Sequence, residues 1–407
     1  MTVDVIRNTA ATSEYRIVES GGAPTSLRGH LPALDGIRGL AVLMVLVFHF
    51  VGGMQATNLV ERGIVSVTKY GILGVDLFFV LSGFLITGIL YEGGGKPHYF
   101  RNFYMRRVLR IFPLYFGVLA FVFLVAPMIP LMQGPTLNYL LDRQAWAWLY
   151  GINIYIAQQG DWSFSYLNHF WSLCVEEHFY FVWPLVVFLL APWPRLLITV
   201  SLAMSICAMF ARPIGLLMGL SWWTTVVLTP FKLDGLALGA FLAVMARQPE
   251  GWVWLKRALL PVVAIAGVLA ASTYIGSVMV SPPELEFVAS IRVAFFQMLL
   301  ACLLIWALSA PKTSFSSRFF CSRIMVFWGT YSYGLYVYHH FISYYMLANG
   351  TEMQLGRWLG SHGAAVALQA SLGILASLII AYLSYELFEK RFLRLKRLFH
   401  TEKPHSS

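Results

Sequence analysis

The sequence predicts an all-α integral membrane protein, a bundle of about ten transmembrane helices with both termini in the cytoplasm. Hydrophobic residues make up 58% of its 407 residues and charged residues only 12%, about half of the charged fraction that is usual for a soluble domain. The apolar runs are continuous and long enough to cross a bilayer as helices, whereas barrel strands would alternate in segments of about ten residues. The distribution of basic residues predicts the orientation.

Ten apolar runs are long enough to be the transmembrane helices. They lie at 34–53, 70–91, 111–132, 170–190, 194–211, 226–246, 258–277, 289–309, 327–348 and 362–387. A further stretch at 144–157 is too short to cross the membrane, so we expect it to be interfacial or re-entrant. Around the runs we expect a polar cytoplasmic tail at 1–30, one membrane domain at 31–390 and a basic cytoplasmic tail at 391–407, without an appended soluble domain.

Lysine and arginine residues are concentrated on one side of the predicted bundle. With the amino terminus inside, 21 of the 29 fall in cytoplasmic segments and 5 on the opposite side, Arg212 among these. This bias agrees with the positive-inside rule. The formal net charge of +10 therefore reflects membrane topology, and no nucleic-acid partner is expected.

The first run, DGIRGLAVLMVLVFHF, keeps three ionisable side chains, Asp35, Arg38 and His49. A helix turns about 100° per residue, so the eleven steps from Arg38 to His49 make three turns plus roughly 20°. By the same geometry Asp35 falls within about 40° of His49. The three side chains therefore lie on one stripe, with His49 about 16 Å further along the axis than Arg38.

Acidic residues also fall inside other runs, namely Asp76, Glu176, Glu177 and Asp234. A charge at such depth costs about 2.5 kcal/mol or more, so each should face the bundle interior with a partner or a function. Adjacent helical residues point about 100° apart. Glu176 and Glu177 are therefore not expected to face one partner together, and Glu176 is the preferred site residue.

Purely structural roles remain open for these side chains. A histidine inside a span is often a helix–helix hydrogen-bond donor. Asp76 and Asp234 could have no role beyond an ion pair with Lys232 or Arg292. The basic run at 106–110 could simply flank a span on its positive side.

Seven stretches of the sequence occur in the order of a known family. They are LPALDGIRGLAVLMVLVFHF, GVDLFFVLSGFLITGIL, FYMRRVLRIFPLYF, HFWSLCVEEHFYFVWPL, TPFKLDGLALGAFLA, YSYGLYVYHHF and SYELFEKRFLRLKR. Together they resemble the bacterial membrane acyltransferase family 3, the O-acetylases of lipopolysaccharide O-antigen, exopolysaccharide, Nod factor and macrolide. The resemblance runs from about Leu31 to Phe399, nearly the whole chain.

The family's motifs match this sequence position by position. Its arginine, ten residues, then histidine arrangement matches Arg38 and His49, and the family's histidine is taken as the catalytic centre. The remaining matches are Arg107 and Arg110 ahead of a proline, Trp171 to Glu177 in the Trp-Ser-Leu-x-x-Glu-Glu element, and Tyr336 with His339 in the Tyr-x-x-His element. The sequence departs from the family at Lys232, where arginine is more usual, and at His178, where glutamine is common.

The resemblance implies an acyltransferase of the bacterial cytoplasmic membrane that uses acyl-CoA, most often acetyl-CoA, as a co-substrate. Arg38, Arg107 and Arg110 would bind the polyanionic donor, because arginine offers forked and permanently charged hydrogen-bond donors. The acceptor would be a carbohydrate hydroxyl of a cell-surface glycan or its lipid-linked precursor, in contact with membrane lipid. No metal and no permanently bound cofactor are implied.

The resemblance also implies a mechanism. His49 would act as general base on the acceptor hydroxyl, with Glu176 or Asp76 fixing its tautomer, as the acid does in a catalytic triad. A covalent acyl–imidazole intermediate on His49 is the alternative. The supporting residues would be Asp35, Glu177, Trp171, Tyr336 and His339.

Two other functions remain open. One keeps the chemistry and changes the acceptor to a small hydrophobic molecule such as a macrolide. The other is a proton-coupled transporter, in which buried acids and histidines relay protons. Against transport, the sequence shows no repeated halves and no paired Gly- or Pro-broken helices.

Overall fold

The helices follow the predicted order of apolar runs. The computed structural model describes residues 31–277 and 282–399, and the regular structure within them is helical. The long helices of this part of the chain are α1 (Pro32–Val51), α2 (Leu73–Gly93), α3 (Tyr99–Ala120), α4 (Phe170–Leu190), α5 (Pro194–Leu217), α6 (Thr229–Met245), α7 (Gly251–Ser277), α8 (Pro282–Ser309), α9 (Arg323–Ala348) and α10 (His362–Ser384). Each overlaps one predicted run, which confirms an all-α membrane bundle.

Shorter helical segments join or extend the long helices. They are Leu59–Thr68, Lys69–Ile72, Phe121–Val125, Ala126–Met128, Pro130–Met132, Pro135–Leu141, Gln144–Trp148, Ile152–Gln159, Ser165–Leu167, Trp222–Val227, Phe315–Phe320, Thr351–Leu359, Tyr385–Glu389, Lys390–Arg394 and Leu395–Phe399. The predicted tail at 1–30 and the end of the tail at 391–407 lie outside the described residues. The cytoplasmic location of both termini stays a prediction.

The helix α9 has a polar centre within the bundle interior. Nine segments of the described chain are long and apolar enough to cross a membrane, and α9 is outside that set although it has 26 residues. Its centre, YSYGLYVYHHF, carries tyrosines, a serine and two histidines, and it packs between α1 and α10. A long polar helix inside a bundle indicates a functional interior.

The helix α3 begins earlier than predicted. The apolar run was expected to start at 111, whereas α3 starts at Tyr99 and therefore contains Arg107 and Arg110. Hydropathy treats arginine as a break in a span. A helix nevertheless continues through arginines when their long side chains reach a polar space, so the boundary prediction was wrong by about three turns.

The predicted interfacial or re-entrant segment forms a hairpin against α3 and α4. The short helices Gln144–Trp148 and Ile152–Gln159 meet at a tip where Tyr150 adopts a positive φ of 55°. The hydroxyl of Tyr115 on α3 donates to the carbonyl of Ala147 over 2.7 Å, and His178 on α4 bonds to the carbonyl of Tyr150 at 3.1 Å. The segment therefore packs against α3 and α4 as a hairpin of two short helices, and its interfacial or re-entrant position stays a prediction.

Small residues allow close helix crossings at the two most extensive helix contacts. On α9, a Cβ added at Gly329 would overlap the carbonyl oxygen of Asp35 on α1. On α6, a Cβ at Gly239 would overlap the carbonyl oxygen of Val80 on α2. Helices in membranes associate through such close backbone contact. The pair α1–α9 is therefore held close enough for side chains of both helices to form one site.

Two buried ion pairs cross the bundle. Lys232 Nζ lies 3.2 Å from the carboxylate of Asp76, which confirms one structural pairing left open by the sequence. Asp234 pairs instead with Arg212 at 2.8 Å, and both side chains are almost fully buried. Arg212 was predicted in an outer loop, and this was wrong because α5 continues to Leu217. A buried charge needs such a partner.

Candidate active site

A cavity of about 850 Å³, counted with its open mouth, lies between α1, α2, α3, α4 and α9. It extends from Ser172 to Tyr180 along α4, which corresponds to about 12 Å of helix. Its polar lining consists of Arg38, Ser82, Arg107, Arg110, Ser172, Glu176, Glu177, Tyr180, Ser332, Tyr333 and Tyr336. Six of the site residues singled out from the sequence are in this lining, namely Arg38, Arg107, Arg110, Glu176, Glu177 and Tyr336.

One end of the cavity is strongly cationic. Arg38 comes from α1, and Arg107 and Arg110 come from successive turns of α3. Arg38 Nη1 is held by Asp35, one turn earlier, over 2.9 Å. The Nε atom of Arg107 is buried without a hydrogen-bond partner among the described residues. A guanidinium left unsatisfied at a cavity wall is suited to an incoming anion.

Two further basic side chains lie near this end, outside the cavity lining. Lys396, on the segment Leu395–Phe399, interacts electrostatically with Arg38, Arg106, Arg107 and Arg110. That segment packs against α3, and the Arg101 guanidinium lies 6.0 Å from the centre of the Phe399 ring. The sequence had suggested only a basic tail here. We call Arg38, Arg107 and Arg110, which line the cavity, the cationic end; Arg106 and Lys396 lie near it.

Two carboxylates line the wall contributed by α4. Glu176 interacts with the hydroxyls of Ser82 and Tyr180, which are hydrogen-bonded to each other. One carboxylate oxygen of Glu177 is buried without a hydrogen-bond partner among the described residues. Both acids therefore face the same cavity, although they point to different neighbours as helical geometry requires.

Ser172 and Tyr336 lie at the other end of the cavity. Tyr336 donates to the carbonyl of His169 over 3.0 Å, and its hydroxyl also bonds to Ser172 Oγ at 2.5 Å. Tyr336 is on α9, three residues before His339, so about one helical turn separates the cavity lining from His339. This end of the cavity therefore borders a group of histidines.

Four histidines meet beyond Tyr336. The ring centres of His49 and His339 are 4.8 Å apart, and those of His49 and His340 are 5.1 Å apart. The ring of His169, from the residue before α4, stacks on His340 with centres 4.8 Å apart. We call His49, His169, His339 and His340 the histidine cluster. Within the described residues, it does not form a candidate metal site.

Hydrogen bonds determine the tautomer of His49. His339 Nδ1 lies 2.7 Å from the carbonyl of Tyr336, so it carries the proton and Nε2 is an acceptor. His49 Nδ1 is 3.0 Å from the carbonyl of Val45 and 3.3 Å from His339 Nε2. Both neighbours accept, so Nδ1 of His49 is the protonated nitrogen. Its Nε2 is left with a lone pair, as a general base requires.

The group that holds His49 differs from the one expected. The sequence suggested Glu176 or Asp76, whereas the structure places a main-chain carbonyl and a second histidine at Nδ1. Asp76 instead bonds to Lys232 and to Gln297, the latter over 2.9 Å. Trp171 lies between this network and the cavity wall, with Lys232 Nζ 5.5 Å from its ring centre.

Sequence reasoning missed His169 and Lys396. His169 opens the stretch HFWSL, but a lone polar residue at a predicted helix start has many structural explanations. Lys396 belongs to a basic tail, and only the tertiary contact with α3 brings it to the arginines. His340, which the sequence analysis did not single out, also lies in the histidine cluster.

The similarity of this chain to known proteins covers every helix that lines the cavity. The acyltransferase domain family matches residues 31–386. Peptidoglycan O-acetyltransferase OatA of Listeria monocytogenes is 26% identical over 380 residues, which cover 89% of this chain and 56% of that protein. O-acetyltransferase OatA of Staphylococcus aureus is 26% identical over 349 residues, which cover 81% of this chain and 52% of that protein.

The chain thus spans about half the length of the curated relatives it matches. No solved structure matches it. The matched residues 31–386 include α1 to α10, and hence the whole histidine cluster and the arginines of α1 and α3. The chain is a multi-pass membrane protein that belongs to the acyltransferase domain family.

Proposed function

We propose that the protein transfers an acyl group, in the first place acetyl, from acyl-CoA to a hydroxyl of a cell-surface glycan or its lipid-linked precursor in the bacterial cytoplasmic membrane. One observation carries the proposal. A single cavity joins an end with three arginines to an end next to the histidine cluster, in which His49 Nε2 bears a lone pair. The relatives, which are O-acetyltransferases, support the same chemistry.

The cationic end suits the donor. Coenzyme A carries several phosphate groups, and arginine binds phosphate through two parallel charged hydrogen bonds. Arg38 and Arg107 reach the same space from different helices, so a phosphate there would contact both. The rest of the donor is a narrow arm, which would lie along the lining past Glu176 toward Tyr336.

The transfer step needs a base next to the thioester. In direct transfer, the acceptor oxygen attacks the thioester carbonyl carbon while its proton moves to His49 Nε2. The carbon–sulfur bond breaks, and the proton passes from His49 to the departing thiolate, which leaves as free coenzyme A. In the two-step alternative, His49 Nε2 attacks the thioester carbon, the carbon–sulfur bond breaks and coenzyme A leaves as the thiolate. The acceptor oxygen then attacks the acyl carbon, the bond from that carbon to Nε2 breaks, and the acceptor's proton neutralises the thiolate.

The position of His49 supports an acceptor that arrives from the other side. His49 lies about 16 Å along α1 from Arg38, near the carboxy-terminal end of the helix. The Listeria relative is named for peptidoglycan. A glycan outside the membrane would therefore reach Nε2 without passing the donor's phosphates.

The direct test is acyl transfer by the purified protein. Labelled acetyl-CoA is supplied with a tetrasaccharide of alternating N-acetylglucosamine and N-acetylmuramic acid, and labelled glycan and free coenzyme A are measured. We expect stoichiometric transfer by the wild type and loss of at least a thousandfold in His49→Ala, with unchanged thermal unfolding. Near-normal transfer by His49→Ala would refute the role of His49, and uptake of solute without coenzyme A release would favour transport.

A further inference from the structure

All four members of the histidine cluster use one ring nitrogen for a main-chain bond. A carbonyl oxygen only accepts, so each nitrogen that faces one must carry a proton. The four pairs are His49 Nδ1 with Val45 at 3.0 Å, His169 Nε2 with Val337 at 3.0 Å, His339 Nδ1 with Tyr336 at 2.7 Å and His340 Nδ1 with Tyr166 at 3.1 Å. The backbone thereby selects the tautomer of every ring.

The second nitrogen of each ring is left as an acceptor. Four adjacent positive rings, buried together, would repel one another and lose hydration, so the neutral form is favoured. The lone pair of His339 faces the proton of His49. His169 Nδ1 is buried and has no hydrogen-bond partner among the described residues, and this side chain is only 4% exposed. An acceptor buried without a donor is costly unless a ligand supplies one.

The cluster is open at one side and has aromatic neighbours there. His49 and His340 are half-buried, whereas His169 and His339 are fully buried. Tyr166 packs against Phe341 with ring centres 5.5 Å apart, and Tyr344 lies 6.2 Å from His340. These half-buried rings could cover the apolar face of a sugar while the imidazole nitrogens accept from its hydroxyls.

We propose that His169 and His340 form the binding subsite for the acceptor, a polyhydroxylated sugar ring whose hydroxyls donate to His169 Nδ1 and His340 Nε2. This inference rests on the proposed function, in which a third hydroxyl is presented to His49 Nε2. The two residues bind the acceptor and take no part in proton transfer. Donor binding at the cationic end is expected to be independent of them.

Because the two ring nitrogens have different partners, a variant can remove one of them and keep a substitute for the other. His169→Gln keeps a donor near the position of Nε2, and with it the bond to Val337, but removes the acceptor at Nδ1. His340→Asn likewise keeps the donor to Tyr166 and removes the distal acceptor. The crossed variant His169→Asn keeps an acceptor near Nδ1 and drops the bond to Val337. His178→Gln, on α4 and bonded to Thr229 and Tyr150, is the matched control.

The experiment measures equilibrium binding of the tetrasaccharide described above, without donor, so that no transfer occurs. We expect His169→Gln and His340→Asn each to bind about tenfold more weakly, the effect of one lost buried hydrogen bond. His169→Asn and His178→Gln should bind like the wild type. The KM for acetyl-CoA and the rate of acyl transfer should be unchanged in the control His178→Gln.

Unchanged binding in His169→Gln and His340→Asn would overturn the assignment, as would absence of tetrasaccharide binding by the wild type. Equal losses in His169→Gln and His169→Asn would also overturn it, because they would indicate a structural role. Failure of the proposed function looks different. In that case the wild type and the control bind the tetrasaccharide, the variants bind it weakly, and acetyl-CoA is not consumed by any of them.

Discussion

The ring of His49 is held by the carbonyl of Val45, one turn back on the same helix. A catalytic triad uses a carboxylate at this place, where it orients the ring and stabilises the imidazolium. A carbonyl orients equally well but carries no full charge, so the imidazolium here gains less. His339, whose Nε2 accepts at 3.3 Å from His49 Nδ1, is the additional support. This arrangement favours a base that is protonated only briefly.

Arg107 offers a prediction at the level of one side chain. Its Nε is buried and unpartnered among the described residues, so we expect it to bind a donor phosphate. Arg107→Lys keeps the charge but loses the forked donor. The KM for acetyl-CoA should rise about tenfold, the loss of one charged hydrogen bond, while kcat changes less than twofold.

The matched control for that measurement is Arg101→Lys. Arg101 is on the same helix, exposed, and contacts Phe399 away from the cavity lining. Its substitution should leave both kinetic constants unchanged. If Arg107→Lys behaves like Arg101→Lys, the arginines of α3 serve membrane topology and not donor binding.

Helix pairing brings His49 and His339 together. His49 is on α1 and His339 is on α9, and the two helices touch where Gly329 meets the backbone of Asp35. The distance between the two histidine rings therefore depends on a contact about three to four turns away from them. Changes at this crossing should affect activity without touching any group in the cavity.

Gly329→Ala tests this dependence. The added methyl group overlaps a carbonyl oxygen, so the helices must separate, at a cost of about 1–3 kcal/mol. We expect a lower unfolding temperature in detergent and a transfer rate reduced at least tenfold. Gly267→Ala on α7 is the control, since a methyl group there meets open space and favours the helix by up to about 1 kcal/mol. Equal stability of the two variants would contradict the account of the crossing.

The elements were largely predictable, because the length and apolarity of a span are local properties of the sequence. The run that became α9 was predicted as a span despite its polar centre, because the residues on both sides of that centre are apolar. The start of α3 was misplaced because its arginines face a cavity that only the assembled bundle forms. Its length predicted that the segment at 144–157 does not cross the membrane, but its contacts with Tyr115 and His178 depend on tertiary packing.

Prediction of the site went as far as helical periodicity allows. The stripe of Asp35, Arg38 and His49 is real in the structure: Arg38 lines the cavity and His49 lies in the cluster beyond its end. Periodicity within one helix does not predict which side chains of other helices will contact it. A single sequence does not indicate that His169 stacks on His340, because residues 168 and more apart must first be brought together.

On the scale of the whole molecule, the two ends of the site lie at different depths. The cationic end is near the amino-terminal part of α1 and the segment Leu395–Phe399, and the histidine cluster is near the other end of α1. Donor and acceptor would therefore enter from opposite faces. The positive-inside distribution predicts that the donor face is cytoplasmic.

Transfer across a sealed bilayer tests this central claim most directly. The protein is reconstituted in one orientation, verified by access to a carboxy-terminal tag, and acetyl-CoA and the tetrasaccharide are supplied on chosen faces. We predict labelled glycan when acetyl-CoA is on the face of the tag and the glycan is on the other, with His49→Ala inactive. Transfer only when both substrates share one face would contradict the account.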